Sequence, residues 1–259
     1  MAIPTDLDLA LDLTGQVAIV TGGTRGLGNS IAKALVKAGC ETIACGRTAP
    51  ETRAEGVEFI KADVRDPDQA SSLVEAVVAR FGRIDILVNN AGGSPSADAA
   101  TASPRFVDAI LKLNLVGPLY MAQAVYPHMA KAGGGSIISI ASVSGARPSP
   151  GTAIYGAAKA GLLNLTQSLA QEWGADNVRV NAIIAGLMTT ENAEATYGDA
   201  QAQAAVARSM PLGRMGSGDD LAGAVLWLCS PLANWVSGAR IQVDGGGERP
   251  YFLDLVKGG

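Results

Sequence analysis

Gln16-Val17-Ala18-Ile19-Val20-Thr21-Gly22-Gly23-Thr24-Arg25-Gly26-Leu27-Gly28 is the stretch on which the reading of this chain turns. Gln16–Val20 is the apolar run of a buried strand. A glycine-rich turn follows at once, and then a helical pattern over Leu27–Ala38, with Ile31, Leu35 and Ala38 spaced by three and four. Strand, glycine turn and helix N-terminus together make an anion site. The glycines let the backbone approach a pyrophosphate, and the free N–H groups of the first helical turn point at it. The stretch therefore predicts a dinucleotide site built on Gly22, Thr24, Arg25, Gly26, Leu27 and Gly28.

Outward from this stretch, short β-rich runs alternate with longer helical patterns. Thr42–Cys45, Val57–Ile60, Ile84–Val88, Ser136–Ile140, Val178–Ile184 and Arg240–Val243 read as strands. Asp66-Pro67-Asp68 opens a helix to about Phe81, with acid in its first turn. A long helical stretch covers about Pro104–Lys131, bent near Gly117-Pro118, and Thr152–Trp173 and Asp219–Cys229 are further helices. This alternation implies βαβ units and right-handed crossovers. The expected fold is α/β: a single domain with a Rossmann-type, doubly wound, parallel seven-stranded sheet and helices on both faces. Leu187–Gly218 is the one long irregular stretch, and such a stretch inside a compact domain is usually a functional lid. Its alanine-rich part, Thr190–Arg208, with Tyr197 and Met210 as larger apolar groups, reads as a helical flap over a mainly apolar substrate. Residues 1–13 form a leader. Residues 248–259 form a tail whose Tyr251, Phe252 and Leu253 are apolar enough to pack against a neighbouring subunit.

Composition narrows the function classes. Of 259 residues, 48% are hydrophobic and 17% charged, which supplies ample material for a globular core. The net charge of −4 argues against a general nucleic-acid or anionic-membrane surface. No apolar run reaches the length of a spanning helix, and the N-terminus lacks the pattern of a signal peptide. Cys40, Cys45 and Cys229 lie in apolar surroundings and read as buried free thiols of a cytoplasmic protein. His128 is the only histidine, which disfavours a His-based metal site or a Ser-His-Asp triad.

The second strand ends at Cys45-Gly46-Arg47. An acid here would bind a ribose 2′-hydroxyl, and none is present between positions 45 and 48. Arg47 instead offers a guanidinium to a 2′-phosphate, and Arg25 in the glycine turn can close on the same group. NADP(H) is expected in preference to NAD(H).

Tyr155-Gly156-Ala157-Ala158-Lys159 places a phenol and an ammonium four residues apart on a helix, hence on one face. The cation is expected to lower the phenol pKa from about 10, so that the tyrosine can exchange a proton with a substrate oxygen. Ser142 lies just past a strand, at the C-terminal edge where open α/β sheets bind ligands. Its hydroxyl can meet the same oxygen and stabilise charge on it.

These residues, in this order, resemble the short-chain dehydrogenase/reductase family in its single-domain branch. The resemblance covers about residues 13–247. It rests on Thr21-Gly22-x-x-x-Gly26-x-Gly28, Asp63-Val64, Asn89-Asn90-Ala91-Gly92, Asn114, Ser142, Tyr155, Lys159, Asn181 and Asp244-Gly245-Gly246. It implies a catalytic tetrad of Asn114, Ser142, Tyr155 and Lys159. Asp63 and Val64 would meet the adenine, Asn90, Ala91 and Gly92 would form the turn after the fourth strand, and Lys159 would bond the nicotinamide ribose. Asn114 would distort its helix to seat a water that links Lys159 to solvent. Gly186, the backbone of Met188, and Thr190 would meet the carboxamide. The family's Pro-Gly after the sixth strand is here Ala185-Gly186, so this turn is expected to be looser.

The expected activity is interconversion of a ketone and a secondary alcohol by hydride transfer. Members labelled 3-oxoacyl-carrier-protein reductases dock their acidic partner on two basic residues, and the matching positions here are Gly133 and Asp176. A free ketone or alcohol, or a CoA-linked one, is therefore favoured over a carrier-bound substrate. A cofactor-binding scaffold without catalysis is the reading from another class, but all four tetrad residues are present. The resemblance also implies dimers or tetramers through the helices that carry Asn114 and Tyr155.

Overall fold

The computed structural model describes residues 11–250, 252 and 256. Most of the expected leader and tail lies outside these residues. Seven strands form one parallel sheet in the order β3-β2-β1-β4-β5-β6-β7. They are β1 (Val17–Thr21), β2 (Glu41–Gly46), β3 (Val57–Lys61), β4 (Ile86–Asn89), β5 (Gly135–Ser142), β6 (Val178–Ala185) and β7 (Arg240–Val243). The helices are α1 (Gly26–Lys37), α2 (Pro67–Phe81), α3 (Pro104–Leu111), α4 (Gly117–Lys131), α5 (Ala153–Trp173), α6 (Ala193–Tyr197), α7 (Ala200–Ser209) and α8 (Gly218–Cys229). The strand order reverses between β1 and β4, and the crevice beyond their C-terminal ends is where such sheets take ligands.

The sheet is covered on both faces because its strands are apolar on both. Ala18 and Val20 of β1 pack with Ile31 and Leu35 of α1 and with Leu221, Val225 and Leu228 of α8. Val17 and Ile19 point the other way, into Leu73 and Val77 of α2, Met121 and Val125 of α4, and Leu169 and Trp173 of α5. Alternation along one fully buried strand thus feeds two cores. Local signals set the ends of elements. The Asp66 carboxylate accepts from the N–H groups of Asp68 and Gln69 to start α2, and Gly82 ends it at φ 77°.

The helical flap expected within 187–218 is present as α6 and α7, and Asp199 caps α7 by accepting from Ala202 N at 2.9 Å. The long helix expected over 104–131 is interrupted by a π-turn over Lys112–Val116, where the resemblance puts a distortion at Asn114 and directly before the bend expected near Gly117-Pro118. Cys40, Cys45 and Cys229 are buried free thiols, and burial pushes Cys40 and Cys45 up to about 12. Among the described residues no helix is long and apolar enough to cross a membrane, and no group of three potential metal ligands occurs.

Candidate active site

The turn after β1 is held from three sides. Gly22 N donates to Cys45 O of β2 at 2.8 Å, and Thr21 Oγ1 accepts from Asn90 N and Ala91 N at 3.0 and 2.9 Å. Asn90 Nδ2 donates back to Thr21 O at 2.9 Å, so the turns after β1 and β4 are locked together. Gly22 and Gly26 sit at φ 63° and 52°, a region that favours glycine. A Cβ on Gly28 would lie 2.4 Å from both Asn90 Nδ2 and Gly22 O. The glycines are therefore required by close backbone approach, and they leave the start of α1 open. Arg25 is the N-cap of α1 but makes no side-chain cap bond, and the first turn holds no acid. Its N–H groups are left for an anion from elsewhere.

Around this turn lie the other residues expected to hold a dinucleotide. Thr24 and Leu27 are half-buried within the turn, and Arg25 and Arg47 are both exposed. Arg47 directly follows β2 and lies near enough to Asp63 to help hold its carboxyl down. Asp63 has a closer partner that its motif did not reveal. Arg65 grips both carboxylate oxygens, with Nε at 2.9 and 3.1 Å and Nη2 at 2.5 Å, and this bond is the main cause of the lowered Asp63 pKa. Val64 is buried beside Gly117.

The four expected catalytic residues converge from three elements. Ser142 ends β5, and Lys159 lies one turn beyond Tyr155 on α5. The Ser142 hydroxyl, which accepts from Ser144 N at 3.2 Å, lies close enough to the Tyr155 phenol to hold its pKa down. Lys159 is 2% exposed and donates to Ile140 O at 2.7 Å, with Nζ 5.7 Å from the centroid of the Tyr155 ring. Asn114 is fully buried in the π-turn. Its Nδ2 donates to Ile110 O and Gly93 O, both at 3.0 Å, and its Oδ1 accepts from Gly93 N at 2.9 Å. The side chain thus ties the distorted helix to the turn after β4. A Cβ on Gly92 would meet Asn114 Oδ1 at 2.9 Å and Lys159 Nζ at 3.2 Å, which shows how closely the amide and the amine approach.

The electrostatics correct one expectation. Lys159 does not dominate the Tyr155 pKa. Burial raises it, the Ser142 hydroxyl opposes the rise, and the nearby Tyr197 phenol adds to it. Lys159 is itself brought down to about 8 by burial.

Gly186 follows β6, and its Cβ would lie 2.6 Å from Asp244 Cα, so no other residue fits there. Ala185 is not part of a loose turn. It is the last residue of β6, paired with Ser142 on one side and Val243 on the other. Alanine keeps an N–H that proline lacks, so the strand can run one residue further. Met188 forms a bridge with Gly216, and Thr190 Oγ1 accepts from Asn192 N at 3.3 Å. The loop between Ser142 and Tyr155 is polar, with Ser149 Oγ 3.0 Å from Ser144 Oγ and 2.6 Å from Thr152 Oγ1. Arg147 in the same loop pairs with Glu248. Two lid residues that sequence reasoning did not assign also reach the site: Glu191 at Gly26, and Tyr197 at Met188.

Comparison with known proteins accords with this geometry. Residues 21–248 match the family model described as enoyl-(acyl carrier protein) reductase, a short-chain dehydrogenase model. The chain is 38% identical to 2-dehydro-3-deoxy-D-gluconate 5-dehydrogenase of Escherichia coli K12, covering 92% of this chain and 97% of that protein. It is 36% identical to a 3-oxoacyl-[acyl-carrier-protein] reductase of Thermotoga maritima, over 90% and 98%. A solved structure described as a short-chain alcohol dehydrogenase of Sinorhizobium meliloti 1021 superposes with a TM-score of 0.84 at 36% identity, over 92% and 98%. Matched over nearly its whole length by proteins of its own size and fold, this chain belongs to the short-chain dehydrogenase/reductase family, NAD(P)-using oxidoreductases that act on CH–OH groups.

Proposed function

We propose that the protein is an NADP(H)-dependent oxidoreductase that interconverts a ketone and a secondary alcohol, with Tyr155 as the group that gives and takes the proton. The observation that carries this reading is the approach of Ser142 to the Tyr155 phenol at the C-terminal end of β5, with Lys159 buried behind the ring. The dinucleotide fits the glycine cradle and the locally uncapped start of α1. Gly22, Thr24, Gly26, Leu27 and Gly28 would hold its pyrophosphate, and Arg25 and Arg47 its 2′-phosphate. Asp63 and Val64 would meet the adenine, and Asn90, Ala91 and Gly92 the central ribose region. Gly186, Met188 and Thr190 would hold the carboxamide. When bound, it supplies or accepts the hydride. Ser142 then holds the substrate oxygen, Tyr155 transfers the proton, Lys159 bonds the ribose, and Asn114 keeps the amine in register with the turn after β4.

The cofactor preference rests on two exposed guanidiniums, Arg25 in the glycine turn after β1 and Arg47 directly after β2. Charge-assisted contacts to a phosphate contribute about 1.5–3 kcal/mol each when well formed. Replacing both Arg25 and Arg47 by alanine is expected to lower kcat/KM for NADPH by about 100-fold and to change that for NADH by less than about 3-fold. Steady-state kinetics with both cofactors make the test. Equal wild-type values for the two would refute the assignment.

For the substrate we favour a free hydroxylated ketone or alcohol. The loop hydroxyls of Ser144, Ser149 and Thr152 and the Arg147–Glu248 pair suit a polar molecule better than the apolar one expected from the lid's composition. The relatives named for sugar acids agree with this choice. A second reading, reduction of a 3-oxoacyl carrier or CoA substrate, is favoured by the relatives named for that reaction. Against a carrier, Asp176 is acidic and already accepts from the Tyr126 hydroxyl at 2.5 Å. NADPH absorbance with a panel of oxo sugar acids, simple ketones and carrier-bound 3-oxoacyl groups separates the two. Turnover of the carrier-bound substrate alone would overturn the first. Family members typically oligomerise, and a homodimer or homotetramer through α4 and α5 is the expected assembly in a cytoplasmic setting.

A further inference from the structure

We propose that the lid competes with the dinucleotide for the backbone N–H groups that would hold it: the Glu191 carboxylate takes the place of the pyrophosphate at Gly26, and the Tyr197 phenol that of the carboxamide at Met188. This rests on the dinucleotide site proposed above. Glu191 Oε1 accepts from Gly26 N at 3.0 Å across 165 residues of sequence, and its Oε2 lies 3.3 Å from where a Gly26 Cβ would stand. Gly26 is the first residue of α1, the helix that has no cap of its own. The carboxylate therefore makes the bond that a helix N-terminus offers to an anion. Its own N–H and that of Gly26 hold its pKa down, and Arg25 adds to this. At neutral pH it is an anion beside the arginine assigned to the cofactor.

Tyr197 does the same at the other end of the crevice. The Tyr197 phenol lies close enough to the Met188 N–H for that group to oppose the rise that burial gives its pKa, and close enough to Tyr155 to raise that residue's pKa. Glu191 lies two residues before α6 and Tyr197 ends it, so one short segment spans both places. Glu191 is exposed, so water can take over its contact as the lid lifts. A dinucleotide can bind only when both N–H groups are given up. The measured affinity is then the intrinsic affinity reduced by the fraction of molecules with the lid released. Cofactor binding and lid opening become one linked equilibrium, since each excludes the other's contacts.

The test uses the full chain, with NADPH and ADP-ribose as probes in equilibrium titrations and stopped-flow binding. Glu191→Ala is expected to tighten both ligands about 3- to 10-fold, the range of a charged cap at a helix start. The gain should lie in the association rate, because the competing contact exists only before binding. Tyr197→Phe keeps the ring and loses the acceptor oxygen. It should tighten NADPH more than ADP-ribose, which has no carboxamide and gains only from the easier release of the shared segment. Equal or weaker binding by Glu191→Ala, a gain confined to slower release, or a Tyr197→Phe effect of the same size on ADP-ribose would each overturn the proposal. Wild-type protein that binds neither probe would overturn both this and the proposed function. Normal wild-type binding with unaltered variants would overturn the competition alone.

Discussion

Tyr155→Phe will lose ketone reduction by roughly 100- to 10,000-fold in kcat, the range that a positioned general acid contributes, while NADPH still binds. The substitution removes one oxygen from a half-buried ring and keeps its packing against the start of α5. The lost atom is the one that Ser142 approaches. Direction matters too. Burial, and not the lysine, governs this phenol, and it raises the pKa above its usual value near 10. Tyr155 is then protonated throughout the neutral range, ready to donate to a ketone. For alcohol oxidation the phenolate is needed, and its share grows tenfold for each pH unit below that pKa. Reduction should be level from pH 6 to 8 through this group, and oxidation should climb towards pH 10. Initial rates in both directions for wild type and variant make the check. Full turnover by Tyr155→Phe, or oxidation that is level across the alkaline range, would show that another group moves the proton.

The order of elements was legible because each signal is local. A strand buried on both faces reads as a continuous apolar run, and Val17–Thr21 is such a run. The cap at Asp66 and the stop at Gly82 are written within a few residues of the ends they set. The tetrad was legible for a different reason: Ser142, Tyr155 and Lys159 sit at fixed distances from elements that are themselves easy to read. What escaped depends on contacts far apart in sequence, or on burial. The resemblance put a helix distortion at Asn114, but its form, a π-turn over Lys112–Val116, has no composition of its own and is visible only once Asn114 is seen reaching Ile110 O and Gly93 O. The Asp63–Arg65 fork needs a turn after β3 that spacing alone does not specify. Glu191 and Tyr197 meet N–H groups on other segments, so their residue types carried no signal. The direction of the Tyr155 shift failed for a related reason. Spacing of four puts a cation near a phenol, but burial of the phenol itself, which spacing does not show, sets the direction of its shift.

Burial also has a consequence for Lys159 that can be measured in stability as well as in rate. Its ammonium is 2% exposed and has one hydrogen-bond acceptor, Ile140 O. Among the described residues no carboxylate contributes to its pKa, which burial brings from 10.5 to about 8. In the unfolded chain the amine keeps its ordinary pKa, so between pH 8 and 10.5 the unfolded state binds more protons than the folded one. Stability must then rise with pH across that window. A displacement of this size corresponds to about 3 kcal/mol, the cost of holding the charged form below pH 8. Lys159→Met removes the titration and leaves a side chain of similar length. The stability of the variant relative to wild type should therefore be greatest below pH 8. It should fall by up to about 3 kcal/mol as pH rises to 10.5, because wild type gains over that range and the variant does not. The loss of the bond to Ile140 O shifts the whole curve without changing its slope. In activity the variant should lose at least about 100-fold in kcat, the usual cost of deleting a preorganised donor. Denaturant unfolding of both proteins at several pH values between 7 and 10 gives the first result, and single-turnover reduction gives the second. A stability difference that stays level with pH would mean that Lys159 titrates near its ordinary value. If the slope is found and activity survives, the buried charge is a cost that the reaction does not need, and Tyr155 with Ser142 would suffice.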